Sequence, residues 1–373
     1  MPHRFPDGFP AVLPTTMARV ERRLPAPGDI MVTMDSRVEP DDLIGQCSVP
    51  GEPVLIDVAG ALRIAPREMM RRLRRRPGER VVFRDLLARR RGRSLLAPVT
   101  GTITIADEAT GFVVLTPDPV PASVSAMLRG TVVAVQPQRA VTIATPAAVV
   151  QGAIGFGAEQ WGVLRPLVAD PGDLITPEMI DARRAFSIIL GGAGITAEAL
   201  RKARHEQVKG IIVGGIDAEE LQAFWGERLR MSWRDLLRSG TALPLFDDAP
   251  TIIVTEGFGR HPMSWPTFDL LTRFDHQEMH LDGTTRLDVP HRRPRVIIPL
   301  PQASGTVPTP QRPLGTGSMV RLLNETHLGA IGRVEAIRER GRLDSGVRMP
   351  TYTVVLDDGA RVRVPRLAIE SVQ

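Results

Sequence analysis

Cysteine, lysine and aromatic residues are scarce in this chain of 373 residues, and each scarcity removes a class of chemistry. The single cysteine, Cys47, excludes an internal disulfide and any cysteine-ligated metal cluster built within one chain. Only two lysines occur, Lys202 and Lys209, so nothing before them can carry a lysine-linked prosthetic group. Aromatic residues make up 4% of the chain, which leaves few rings for stacking on bases. No run of apolar residues approaches the length of a membrane span. The stretch Met1–Gly28 holds Arg4, Arg19, Arg22 and Arg23 but no apolar core of the secretory kind. The expectation is a soluble cytoplasmic protein, without membrane insertion, bound metal or cofactor.

The positive charge that is present is concentrated. The formal net charge is only +5, yet eleven arginines fall between Arg71 and Arg93 against Glu79 and Asp85 alone. The remainder of the chain is therefore slightly acidic. Guanidinium stays charged and offers a planar donor fork that fits phosphate. Arg71, Arg72, Arg74, Arg75, Arg76, Arg89, Arg90, Arg91 and Arg93 are thus candidate contacts to an RNA or DNA backbone. The plainer reading is a solvated hairpin, and an acidic protein partner or an anionic membrane surface are further alternatives. Phe83 alone interleaves with the arginines, so base stacking has little support.

Residues 28–163 read as a β unit, with short β-rich runs separated by Pro, Gly and Asp. A basic insert, residues 66–93, breaks the pattern. Pro66 suits a first helical turn, Met69, Met70 and Leu73 supply an apolar face, and Pro77-Gly78 stops the helix. Two phrases echo each other: Pro27-Gly28-Asp29-Ile30 leading to Asp41-Asp42-Leu43-Ile44, and Pro77-Gly78-Glu79-Arg80 leading to Asp85-Leu86-Leu87, then Ala97-Pro98-Val99-Thr100-Gly101. These resemble the turns of barrel-sandwich hybrid domains, a group that includes lipoyl and biotinyl carriers and the N-terminal parts of RnfC-like and NqrA-like redox subunits. A swinging-arm carrier is excluded, because its hairpin lysine is missing. Ferredoxin-type ligation is excluded by the cysteine count. The resemblance then implies a scaffold or docking surface.

From residue 183 to 298 strands alternate with helices, the pattern of a small parallel sheet. Strands are expected at Phe186–Leu190, in Lys209–Gly215 with its last two glycines forming a turn, at Thr251–Thr255 and at Val296–Ile298. Helices are expected from Thr196 to Gln207, from Asp217 with a capping box to Glu220, at Trp233–Arg238, and across Phe268–Arg273. Ligands in such folds gather beyond the C-terminal strand ends. Gly191, Gly192, Gly194, Gly214 and Gly215 are the candidate phosphate or cofactor loops, although neither the Walker nor the dinucleotide spacing is met. Asp217, Glu256 and His261 are the candidate catalytic residues, as an acid/base set across the strand tips. His276 and His280 stand four apart with Glu278 between them, which places the histidines on one face if helical. The order HQEMH is not the zinc motif HExxH, and no metal is assigned.

Residues 299–314 are a Pro-rich linker by composition. Residues 315–373 contain five short strand patterns, enough for a small barrel. Val320 through Val334, with Gly329 and Gly332 three apart, resembles the KOW motif of NusG-type transcription factors and some ribosomal proteins, within an SH3-like barrel. That resemblance implies a module that touches RNA or a ribonucleoprotein, with Arg321 and Arg333 as its basic contacts. The expected class is α+β multidomain: a barrel-sandwich-hybrid-like β domain, a small α/β domain and a C-terminal SH3-like barrel. The leading expectation of function is a non-enzymatic scaffold engaging RNA or a ribonucleoprotein. A small-molecule enzyme or sensor using the α/β crevice, and a structural subunit with a protein partner, remain as alternatives.

Overall fold

The computed structural model describes residues 12–226, 248–286, 292–301 and 314–371, apart from 325, 328, 344, 345, 366 and 367. The helix expected at Trp233–Arg238, most of the 299–314 linker, and Leu328 and Leu367 lie outside the described residues. The chain is mostly β, in several sheets joined by short helices, an α+β composition. None of the sheets among the described residues closes into a barrel.

The echoed turn phrases have one physical basis. In residues 39–42 the Asp42 carboxylate accepts the Glu39 N–H at 2.8 Å, while the Asp42 N–H returns to the Glu39 carbonyl at 3.0 Å. Val82 and Asp85 repeat this reciprocal pair at 3.0 and 2.9 Å. Arg76 with Glu79, and Asp170 with Asp173, repeat it again. A short acidic side chain that bonds its own backbone competes with strand pairing and reverses the chain. The front of the protein is accordingly cut into small sheets. One contains Val120–Ser125, Leu43–Val49 and Gly28–Ile30; another contains Val54–Asp57, Phe112–Pro117, Gly101–Asp107 and Arg80–Val81. Val58, Leu62, Met69, Leu87, Ile103 and Leu115 form the core beneath the second sheet.

The helices in the insert and just before it depart from expectation. A helix runs over Val58–Leu62, started by Asp57, whose side chain accepts the Gly60 N–H at 2.7 Å. Pro66–Arg71 is a 3-10 helix, wound just far enough to bury Met69.

The largest sheet has eleven strands among the described residues. In spatial order they are Ile154–Phe156, Thr251–Phe258, Gly210–Ile216, Ser187–Leu190, Glu159–Pro166, Glu278–Asp282, Arg295–Pro299, Ala140–Gln151, Gly130–Gln136 and Arg37–Val38, with Val12–Arg23 also paired to Ala140–Gln151. The sheet runs across the sequence boundaries drawn at 163 and 183, because Ala140–Gln151 is long enough to pair at one end with the front strands and at the other with Arg295–Pro299. Four strands, from Glu159–Pro166 to Thr251–Phe258, are parallel. In Ser187–Leu190, Gly210–Ile216 and Thr251–Phe258 the runs of Ile, Val and Leu are buried on both faces, as parallel strands covered on both sides require. Helices Ala197–His205 and Ala218–Trp225 cover one face through Leu200, Ala203, Leu221 and Phe224. Helix Trp265–Thr272 covers the other through Phe268 and Leu271.

The C-terminal sheet is antiparallel, in the order Arg361–Pro365, Arg348–Leu356, Ile331–Arg342, Met319–Leu322 and Ile369–Ser371. Its last strand returns beside its first, over a core of Val320, Leu322, Val334, Tyr352, Val354 and Val364.

Candidate nucleic-acid interface

Leu73 bridges to Ala88, the Arg74 N–H donates to the Leu87 carbonyl at 2.9 Å, and the Arg89 N–H donates to that of Arg72 at 3.3 Å. The chain around Leu73 therefore lies along Leu86–Arg90, which in turn pairs with Arg93–Leu96. Leu73, Leu87 and Ala88 turn into the core, and the arginines between them are turned out to solvent. Not all of the arginines are available. Arg90 donates to the carbonyls of Leu62 and Arg63, and Arg93 to that of Ala61 at 3.2 Å. These carbonyls end the Val58–Leu62 helix, where acceptors lack intrahelical donors, so Arg90 and Arg93 serve as its C-terminal cap. Arg80, outside the candidate set, is held on Asp118 at 3.1 Å.

The other seven candidates, Arg71, Arg72, Arg74, Arg75, Arg76, Arg89 and Arg91, are exposed, and their side chains have no hydrogen-bond or carboxylate partner among the described residues. Arg72 and Arg89 sit opposite one another across the backbone bond just described, an arrangement of like charges that costs stability unless an anion enters. Phe83 is 59% exposed, and the Arg84 guanidinium lies 5.9 Å from its ring centre.

The crevice at the parallel strand tips is filled by the protein itself. A Cβ on Gly214 would meet the His261 carbonyl oxygen at 2.3 Å, and one on Gly215 the Gly259 oxygen at 2.1 Å. Gly192 likewise packs against the backbone of residues 170–173, and Gly191 against Ile175. Gly194 is a strand residue paired with Leu174. The five glycines thus allow loops to close over the tips. The helix N-terminus at Ala197 already holds an anion, the Glu220 carboxylate, at 2.7 Å from the Ala197 N–H. The space left between Asp217, Glu220, Thr196 and Arg260 is about 10 Å³, room for about one water and not for a phosphate or nucleotide. The expected capping box does not form, since Asp217 is turned to Arg260 at 2.9 Å.

The three catalytic candidates have separate partners. His261 Nε2 faces the Phe258 carbonyl at 2.9 Å, and Asp217 holds Arg260. Glu256 is buried, accepts the Ser264 N–H at 3.0 Å, and is ion-paired to Arg321. Arg321 is the clearest correction to the sequence reading. Only 3% exposed, it cannot touch a phosphate, because its guanidinium is spent on Glu256, on Glu370 at 2.8 Å and on the Thr255 carbonyl. Glu370 is shared with Arg293. Gly329 approaches the same strand: a Cβ there would lie 2.7 Å from the Glu256 backbone carbonyl oxygen. The cluster fastens the C-terminal sheet to the α/β core. Arg333 is exposed and donates to the Gly317 carbonyl at 3.0 Å.

A polar cluster missed in the sequence surrounds His280. Glu278–Asp282 is a strand and not a helix, so Glu278, His280 and Asp282 share a face and His276 is not with them. Arg22 pairs with Glu159, and Arg292 reaches Asp282 at 2.8 Å and Glu159 at 3.6 Å. His280 lies beside them, buried, with neither ring nitrogen partnered. Burial drives its pKa down to about 4, with help from Arg22 and Arg295 and against the pull of Glu159 and Asp282. The available signal was the two-residue alternation of Glu278, His280 and Asp282.

No helix among the described residues is long and apolar enough to cross a membrane. No protein-family model matches the chain, and no curated protein matches it.

Proposed function

We propose that this chain is a non-enzymatic interaction protein that engages RNA or a ribonucleoprotein through its arginine-rich insert. The small front sheets serve as a barrel-sandwich-like scaffold, and the C-terminal sheet as an SH3-like unit of KOW type. The observation that carries the proposal is the set of seven exposed arginines without partners among the described residues, in a protein whose other arginines include many held by carboxylates or carbonyls. Uncompensated guanidinium groups on one ribbon bind polyanions by releasing counterions, with binding that falls as salt rises. The return of the last C-terminal strand to pair beside the first supports the SH3-like assignment. The crevice alternative has the weaker support, since glycine-mediated loop packing and Glu220 occupy the place a ligand would take.

Fluorescence anisotropy with a labelled structured RNA, read at several salt concentrations, tests the proposal. Replacing Arg71, Arg72, Arg74, Arg75 and Arg76 by glutamine should flatten the log–log salt slope by about 3 to 4. An unchanged slope removes the insert as the contact surface.

A further inference from the structure

In the C-terminal sheet the two longest strands, Ile331–Arg342 and Arg348–Leu356, extend past their neighbours. Pairing with Arg361–Pro365 stops at Thr351, so Gly341 opposite Met349 and Arg342 opposite Arg348 form an arm with no third strand beside it. Gly341 permits the close approach there, since a Cβ on it would meet Thr351 Oγ1 at 1.8 Å.

The arm gathers positive charge. Arg342 and Arg348 face each other directly across the two strands. Arg363 adds a third guanidinium at the same place by donating to the Arg342 carbonyl at 3.1 Å. All three are exposed, and none has a carboxylate partner among the described residues; Arg338 and Arg340, likewise without a carboxylate partner among them, continue the charge along the strand. Glu339 is exposed and pairs with none of them. By contrast Arg361, on the same sheet, is held on Glu335 at 3.0 Å. Three like charges brought together in this way repel one another, and the repulsion is relieved when an anion with several acceptor oxygens sits among them.

We infer that Arg342, Arg348 and Arg363 form a second phosphate-binding site, which holds the backbone of a base-paired RNA helix. It rests on the nucleic-acid reading of the chain but uses different residues from the insert and from the KOW-like turn. Tyr352, in the core of the sheet behind the arm, is buried, so the arm offers no aromatic stacking surface to unpaired bases. Phosphates on the outside of a helix are what it can reach.

The test compares the whole protein with two variants: Arg342→Gln/Arg348→Gln/Arg363→Gln, and the five-arginine insert variant. Each is titrated with a labelled RNA duplex of about 20 base pairs, the matching single strand and a DNA duplex, from about 50 to 200 mM salt. The arm variant should melt like the wild type and lower the salt slope for the RNA duplex by about 2 to 3. Lysine at the three positions should restore most of it. If the insert variant loses binding and the arm variant does not, the arm site is overturned and the insert reading stands. If only the arm variant loses binding, the reverse holds. No binding by the wild type at low salt overturns both. Preference for the single strand or the DNA duplex, or displacement of RNA by polyglutamate at equal charge, overturns the assignment to an RNA helix.

Discussion

Acid should unfold this protein in part through one imidazole. His280 is 1% exposed, on the face of the Glu278–Asp282 strand that carries Asp282, and neither ring nitrogen has a partner. The carboxylates near it are already matched, Glu159 by Arg22, and Asp282 by Arg292 and Arg295, so little favours an imidazolium. Burial therefore dominates and lowers the folded pKa to about 4. In the unfolded chain the same group titrates near 6.5. Between these values the unfolded state binds the extra proton, so the stability contributed by neutral His280 is full above about pH 6.5 and is lost as pH falls through 4. At about 1.4 kcal/mol per pH unit the loss from pH 7 to 4 is about 3 kcal/mol. Burial opposes ionisation of Asp282, but Arg292, Arg295 and the Thr284 N–H outweigh it and hold its carboxyl below the ordinary range. Its contribution is lost only at lower pH, outside the histidine window. Urea unfolding of the wild type and of His280→Gln at pH 7, 6, 5 and 4 isolates the effect. The wild type should lose about 3 kcal/mol more than the variant across that range. Parallel curves would refute the reasoning.

Other predictions test the roles of residues that sequence alone had marked as functional. Glu256→Gln leaves the buried Arg321 short of a partner and should lower unfolding free energy by about 3 kcal/mol, measured by chemical denaturation. A stability equal to the wild type would instead suit a catalytic carboxylate. Gly215→Ala forces a Cβ against the Gly259 backbone and should cost about 1 to 3 kcal/mol, which thermal unfolding would report; a neutral result would mean the crevice is open. Arg90→Gln with Arg93→Gln should reduce stability by about 1 to 2 kcal/mol through the lost helix cap, while changing the RNA salt slope less than removal of Arg71 and Arg72 does.

The alternation of strands and helices after residue 183 was legible, because Ser187–Leu190, Gly210–Ile216 and Thr251–Phe258 are continuous apolar runs that only a sheet covered on both faces can bury. Thr196 was legible as a cap, and it accepts the Ala199 N–H at 3.2 Å. The acidic turns were legible because their hydrogen bonds are local. What depends on distant partners was not. Glu220 sits where a capping box requires it, yet it reaches another helix because Arg260 takes Asp217. Arg321 looked like a surface cation, and its carboxylate Glu256 lies 65 positions away in sequence. The spacing of His276 and His280 suggested a helix face, whereas the chain passes through positive φ at His276 and then extends into a strand. Among the arginines of the insert, sequence gave the charge, but only the packing distinguishes Arg90 and Arg93, which cap a helix, from the seven that are unpaired.

The most direct test of the central claim is the salt dependence of RNA binding by the whole chain with and without Arg71, Arg72, Arg74, Arg75 and Arg76. The account predicts RNA binding at low salt, with a slope that falls by about 3 to 4 when these five become glutamine. Binding that is absent, or that keeps its slope in the variant, would contradict it.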